Sequence, residues 1–373
     1  MSKSVTYAFG GDLGGAGIGR IAGHAVGGVQ RSSLRGKAIS YTLSDEQLTE
    51  VTQTHSGGSI LRKIPNYHVK DVLFNRLTAR KIEGSDLFHG WNNMCLHSLR
   101  TAKSVGAKTV VERASTHPTV QRSLVQQERE RFGVDEPSRN ERLHERAVTE
   151  LTEADAVFVP SEFVYESFLD EGFNEKQLYQ IPFGVDHEQF APPENYIRSE
   201  HPFSALFVGS ISLRKGIQYL LPAWKQADVD GTLRIAGEVT KPAEPIVDQY
   251  REDDSIEFLG WVDNPSEEFR RASTFVFPSV EEGSALVSYE AMASGLPAVV
   301  TSNVGSLVRD GEDGIVVDVG DINALTDAIE RLGSSPETRE RMGKSARKRV
   351  EGYTWERYGD SVVSAYESIL QDQ

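Results

Sequence analysis

The sequence predicts an α/β protein built as two successive β/α/β halves. Three observations predict this. Glycine-rich turns stand between short β-forming runs and helical-period segments, at Gly10 to Gly19 and again at Gly209 to Gly216. The strand–helix alternation stops in a polar stretch opened by Pro192-Pro193 and restarts at Ala205. A length of 373 residues is enough for two separate cores. We therefore expect domains at 1–190 and 191–353, with a terminal helix over 354–373.

Composition narrows the classes. The formal net charge of −15 argues against sequence-independent nucleic-acid binding. With 13 Lys against 27 Arg, the acidic, arginine-rich balance fits either a salt-adapted protein or compositional drift from a GC-rich genome. The single cysteine, Cys95, excludes an internal disulfide and a thiolate metal cluster, and reads as a buried small residue. No apolar run approaches the roughly 18 residues needed to cross a bilayer, and no signal-peptide pattern follows Lys3. The expected location is cytoplasmic, with peripheral contact at the inner face of the membrane left open.

In the first half, Ser4 to Phe9 reads as a strand running into a glycine turn and a helix to about Val29. Gly17-x-Gly19-x-x-Ala22 matches a loose dinucleotide fingerprint, which keeps a nicotinamide-dependent oxidoreductase open. The next strand, Ala38 to Thr42, lacks the acidic residue such a site needs at its end. Leu61 to Ile82 carries Arg62, Lys63, Lys70, Arg76, Arg80 and Lys81 beside one acid, with Val69, Val72, Leu73 and Leu77 on one helical face. It suits a membrane-surface helix or a solvated helix packed on the sheet. Strands are expected over Asp86 to His89 and Lys108 to Glu112. Ligands in open α/β sheets bind beyond the carboxyl ends of strands, which makes His89, Trp91, Asn92, Glu112, Arg113 and His117 candidates. Gln121 to Glu153 reads as charged, solvated helix. Ala156 to Pro160 is a strand, Ser161 caps the next helix, and Leu178 to Ile181 closes the half.

In the second half, Ala205 to Val208, Leu233 to Ala236 and Ile256 to Gly260 read as strands. Arg214 and Lys215 stand on the glycine turn after the first of them, where cations meet anions. Asp228-Val229-Asp230 lies in a turn before a strand, and no metal is expected there. Thr274 to Phe277 is a short strand stopped by Pro278, and a helix is expected from Ser284 as N-cap, with Leu286, Tyr289, Met292 and Ala293 at helical spacing. Gly295 and Pro297 end it before the strand Ala298 to Val300. Glu282 thus lies in the loop feeding the helix and Glu290 about two turns into it. Backbone N–H groups of Gly283, Ser284, Ala285 and Leu286 at a helix start favour strong acceptors, and a carboxylate accepts from paired hydroxyls. Helices from Ile322, Pro336 and Trp355 finish the chain.

Glu282-x7-Glu290 followed by Ala-Met-Ala-Ser-Gly-Leu-Pro closely resembles the signature of the retaining glycosyltransferases of family 4. Lys215-Gly216, Gly260-Trp261 and Pro182-Phe183-Gly184-Val185-Asp186 resemble further motifs of that family. The resemblance implies the GT-B fold: two Rossmann-like domains facing across a cleft, with the last helix returning to the first domain. It implies transfer of a hexose from a UDP- or GDP-sugar to an acceptor hydroxyl, with retention, no cofactor and no metal. Glu282 would contact the donor sugar, Glu290 the ribose, Lys215 with Arg214 the diphosphate, and the loops at Gly209-Ser210 and Trp261 the rest of the donor. Gly14-Gly15, Arg113 and His117 would face the acceptor, which could be a carbohydrate, a lipid-linked glycan or a small molecule. Two departures stand out: Ser210 occupies the place of an arginine, and the loop at Gly305 lacks the family's Gly-Gly and Glu. The first keeps a non-catalytic nucleotide-sugar-binding relative open.

Overall fold

In a computed structural model, the structure describes residues 2–45, 48, 52–55, 67–134, 141–193 and 202–371. The chain forms two compact units. The first holds the described residues of Met1–Thr119, Ser138–Phe183 and Trp355–Gln373; the second holds those of Val120–Pro137 and Gly184–Thr354. The boundary falls at Phe183/Gly184, not near 191, and the segment from Val120 belongs to the second unit although it lies inside the expected first domain. Sequence proximity does not decide unit membership here; packing does.

The first unit is a seven-stranded parallel sheet in the order β3-β2-β1-β4-β5-β6-β7. Its strands are β1 Ser4–Leu13, β2 Arg35–Leu43, β3 Thr52–His55, β4 Leu87–Trp91, β5 Lys108–Glu112, β6 Ala156–Val159 and β7 Leu178–Gln180. β4 and β6 are buried along their whole length, as expected of a parallel sheet covered on both faces. β1 runs past its expected end at Phe9 through Gly10 and Gly11 to Leu13, with a register shift between Phe9 and Asp12. The following helix is Ile18–Arg31.

The charged stretch expected as one solvated helix is two, Pro118–Arg131 and Glu141–Glu153. Nor is it all solvated. Glu150 is fully buried and its Oε1 accepts the N–H groups of Cys95 and Leu96, both at 3.0 Å. It serves as a long-range cap for the helix Leu96–Ser104, an anion at a positive helix end. Burial raises its carboxyl, and Arg146 opposes that. Ser161 caps Glu162–Asp170 as expected, accepting from Val164 N at 3.3 Å.

The basic helix is Tyr67–Ala79; residues 61–66 lie outside the described residues. Its expected apolar stripe splits. Phe74 is the buried anchor, whereas Val69 and Leu73 are exposed at 45% and 37%. Among the described residues, no helix is long and apolar enough to cross a membrane.

The terminal helix Trp355–Gln371 completes the first unit. A Cβ on Gly28 would lie 2.4 Å from the Gly359 carbonyl oxygen, so the two helices cross backbone to backbone. Trp355 stacks on His24 at 4.5 Å between ring centroids. Tyr358 donates to Glu112 Oε1 at 2.7 Å, and the Tyr366 hydroxyl meets His89 Nδ1 at 2.6 Å.

The second unit is a six-stranded parallel sheet in the order β10-β9-β8-β11-β12-β13. Its strands are β8 Phe203–Val208, β9 Gly231–Ala236, β10 Ile256–Gly260, β11 Thr274–Phe277, β12 Ala298–Thr301 and β13 Gly314–Val317. The helices Ile322–Ser334 and Pro336–Val350 start on the caps Asp321 and Ser335. The helix Pro118–Arg131 joins this unit through Glu128, which accepts from the Tyr219 hydroxyl at 2.6 Å and from Gln218 Nε2 at 3.0 Å.

Candidate functional site

The site is assembled by two loops that glycine allows to touch. Gly216 has φ +76°, and a Cβ there would lie 1.9 Å from the Pro278 carbonyl oxygen. No other residue fits, so the turn Leu213–Lys215 after β8 lies directly against the loop after β11. Val280 N and Ser279 Oγ both donate to the Arg214 carbonyl, at 2.9 and 2.8 Å. A second crossing occurs beside it. A Cβ on Gly237, at φ +149°, would lie 1.9 Å from the Gly209 carbonyl oxygen.

This contact gathers four charged side chains. Lys215 Nζ lies 2.6 Å from Glu282 Oε1, and Arg214 Nη1 pairs with the same oxygen. Arg214 Nη1 also lies 3.1 Å from Glu281 Oε2, which Gln121 Nε2 reaches at 3.0 Å. Lys215 is buried and stands 5.1 Å from the centre of the Phe277 ring. Burial pushes the Glu282 carboxyl up, but Lys215 and Arg214 outweigh it and hold the group below the usual range. Burial draws the Lys215 ammonium below its usual value against the pull of Glu282. The loop after β12 supports the acids from behind: Glu282 N donates to Asn303 O at 2.9 Å, and Asn303 Nδ2 donates to Val280 O at 3.0 Å.

The helix after this loop is Leu286–Ala293 with Ala285 at its N-cap position, one residue later than expected. Ser284 is not its cap; its Oγ donates to the Tyr289 hydroxyl at 3.0 Å. Gly283, Ser284 and Ala285 are buried and Leu286 is half-buried in the turn leading in. Glu290 is buried on the helix, 9% exposed. Ser210 is exposed, so the cations the loop brings to Glu282 are Arg214 and Lys215. Trp261 is 71% exposed, with Nε1 donating to Asp263 Oδ1 at 2.9 Å.

The remaining candidates belong to the first unit. His117 is buried between the rings of Phe168 and Phe173, with Nδ1 3.6 Å from Glu171 Oε2. Burial, Arg113 and His144 lower its pKa to about 4, which leaves it neutral. Its Nε2 has no hydrogen-bond partner among the described residues. Arg113 is an internal clamp, donating to Asn92 Oδ1 at 2.6 Å and to Thr116 O. Gly14 and Gly15 sit in a self-contained turn. A Cβ on Gly14 would lie 2.4 Å from that of Asp45, and Gly15 N donates to Asp12 O at 3.1 Å. His89, Trp91 and Glu112 do not line an opening; they are consumed in buried contacts with Tyr366, Tyr7 and Tyr358. Among the described residues no three His, Cys, Asp or Glu side chains gather as metal ligands, and Asp228-Val229-Asp230 is a turn tied by Asp228 N to Glu330 Oε1 at 2.8 Å.

Sequence reasoning missed Glu281, Gln121 and Asn303. The Glu281-Glu282 doublet was a visible signal: the two adjacent acids both pair with Arg214. Gln121 and Asn303 had none.

Comparison with known proteins identifies the second half. Residues 192–349 match the model of the glycosyl transferases group 1 family. The chain carries a glycosyl transferases group 1 domain. Among its relatives is the MMP alpha-(1->4)-mannosyltransferase of Mycolicibacterium hassiacum, 31% identical over 54% of this chain and 51% of that protein. Another is the D-inositol 3-phosphate glycosyltransferase of Paenarthrobacter aurescens, 27% identical over 80% of this chain and 73% of that protein. The chain thus spans about half the length of the mannosyltransferase. Sucrose-phosphate synthase from Thermosynechococcus elongatus superposes with TM-score 0.76 at 20% identity, covering both chains fully. Anabaena HepE, solved in complex with UDP, gives 0.73 at 15% identity over 98% of this chain and all of that one. The chain shares the GT-B fold of these structures.

Proposed function

We propose that this chain is a retaining hexosyltransferase that uses a nucleotide diphosphate sugar. The observation that carries the reading is the Arg214–Lys215–Glu282 cluster, two cations held against a carboxylate by a glycine-dependent loop contact. A leaving diphosphate needs cations at fixed positions, and a donor sugar needs an acceptor of hydroxyl hydrogen bonds. In this reading Lys215 and Arg214 stabilise the diphosphate, Glu282 grips the sugar hydroxyls, and Glu290 takes the ribose diol. The exposed ring of Trp261 offers a face for the base. The acceptor oxygen bonds to the anomeric carbon as the bond from that carbon to the phosphate oxygen breaks. The hydroxyl proton passes to the departing phosphate oxygen, on the same face, so configuration is retained. HepE, whose structures hold UDP and UDP-glucose, supports a uridine donor.

The nicotinamide alternative has weaker support. A Cβ on Gly19 would lie 2.2 Å from the Asp12 carbonyl oxygen, so that glycine is required by packing alone. β2 ends at Leu43 without an acidic residue. A thermal-shift screen with UDP, GDP, ADP and NAD, in low and molar salt, decides between them. A ligand at a hundred times its Kd stabilises by about 2.7 kcal/mol. A shift with UDP or GDP supports the donor site; a shift with NAD alone, or with none of the four, overturns it. The exposed Val69, Leu73, Arg76 and Arg80 extend the proposal to an anionic bilayer surface as the place of the acceptor. Co-sedimentation with anionic but not neutral vesicles is expected, and loss of binding in Leu73→Glu checks it.

A further inference from the structure

Glu281 and Glu282 are neighbours in sequence with different surroundings. The Glu281 side chain is fully buried, whereas that of Glu282 keeps 15% of its exposure. Arg214 Nη1 donates to both the side chain and the main-chain carbonyl of Glu281, each at 3.1 Å. The same carboxylate oxygen is held from the other side by Gln121 at 3.0 Å. Glu282 instead shares one oxygen between Arg214 and Lys215, at the edge of the cluster.

This asymmetry matters when an anion arrives. Two cations and two carboxylates cancel, so an incoming diphosphate competes with a carboxylate for the same cations. Glu282, on the exposed side, is the one that can turn away. Arg214 then loses one partner, and a long side chain released into a half-open site no longer presents its guanidinium at a fixed point. Glu281 has no route out, because its own side chain is fully buried and leaving would break both the Arg214 and the Gln121 contacts.

We infer that Glu281 is a positioning residue: braced by Gln121, it keeps Arg214 aimed at the donor diphosphate once Glu282 has turned to the sugar. The doublet thus divides into a fixed acid that holds the cation and a movable acid that serves the substrate. The inference rests on the glycosyl-transfer reading above and adds to it a residue outside the signature spacing.

The test is calorimetric titration with UDP and GDP of the full chain, its E281Q and R214A variants and the double variant. Hydrogen bonds to charged groups are strong enough that E281Q is expected to weaken nucleotide binding about tenfold. The double variant is expected to bind no more weakly than R214A alone, since both changes remove one function. A salt bridge that merely joins two loops would lower the melting temperature of E281Q while leaving affinity unchanged, or would give additive losses; either result overturns the inference. If E281Q does not fold, Gln121→Leu keeps the charge pair and removes only the brace. A smaller loss that vanishes in the R214A background supports the inference, and unchanged affinity overturns it. Wild-type protein that binds neither nucleotide overturns the donor-site reading itself, a result distinct from wild-type binding that E281Q leaves intact.

Discussion

At the scale of single residues, the candidate site is a contest between burial and charge. Glu282 and Lys215 stay paired because each offsets the other's desolvation. If Glu282 accepts from the donor-sugar hydroxyls as proposed, Glu282→Ala removes that contact and leaves both cations in place. Transfer should be abolished while free UDP or GDP binds at least as tightly; retained turnover would remove Glu282 from its role. Glu290→Ala should weaken nucleotide binding about tenfold if Glu290 makes the proposed ribose contact, read by the same titration. His117 makes a different prediction. Its folded pKa of about 4 lies below the usual histidine value. The unfolded chain therefore binds the extra proton first, and stability falls as pH drops from about 6.5 toward 4. Urea melts across that range should show a shallower slope for His117→Phe than for wild type.

At the scale of elements, two glycine contacts and one borrowed helix build the site. The turn at Gly216 was legible because Lys215-Gly216 stands between a strand and a helix. That it meets Pro278 was not, since nothing local specifies which loop approaches. The helix Pro118–Arg131 reads as solvated because its polar residues are scattered around it, yet Glu128 is buried by Tyr219 and Gln218. Tyr219→Phe leaves that carboxylate short of a donor, at a cost of about 1–3 kcal/mol. Hydrogen exchange should accelerate in residues 118–131 more than in Glu141–Glu153, which belongs to the other unit. Equal acceleration in both helices would contradict the assignment.

At the scale of the whole molecule, neither unit is a continuous piece of sequence. The first closes only when Trp355–Gln371 returns to it. Gly28→Ala places a methyl into the Gly359 backbone, a change with no flexible neighbour to yield. Overpacking of this kind costs about 1–3 kcal/mol. The expected result is a lower denaturation midpoint for the first unit, with nucleotide affinity in the second unit kept. An unchanged midpoint would mean that the helix crossing is not tight in solution.

The sequence by itself determined the α/β alternation, the limits of β5 and β11, the starts of the last three helices, and the Glu282-x7-Glu290 and Lys215-Gly216 pairs. These depend on residues within a few positions of one another, where periodicity, caps and glycine turns act. Tertiary structure alone decided that Glu281 pairs with Arg214 across 67 positions and with Gln121 across 160. It alone made Glu150 a cap for a distant helix and moved the segment from Val120 into the second unit. The physical reason is common to all of these. A charged residue looks solvated in sequence, and only a partner brought from far along the chain makes its burial affordable.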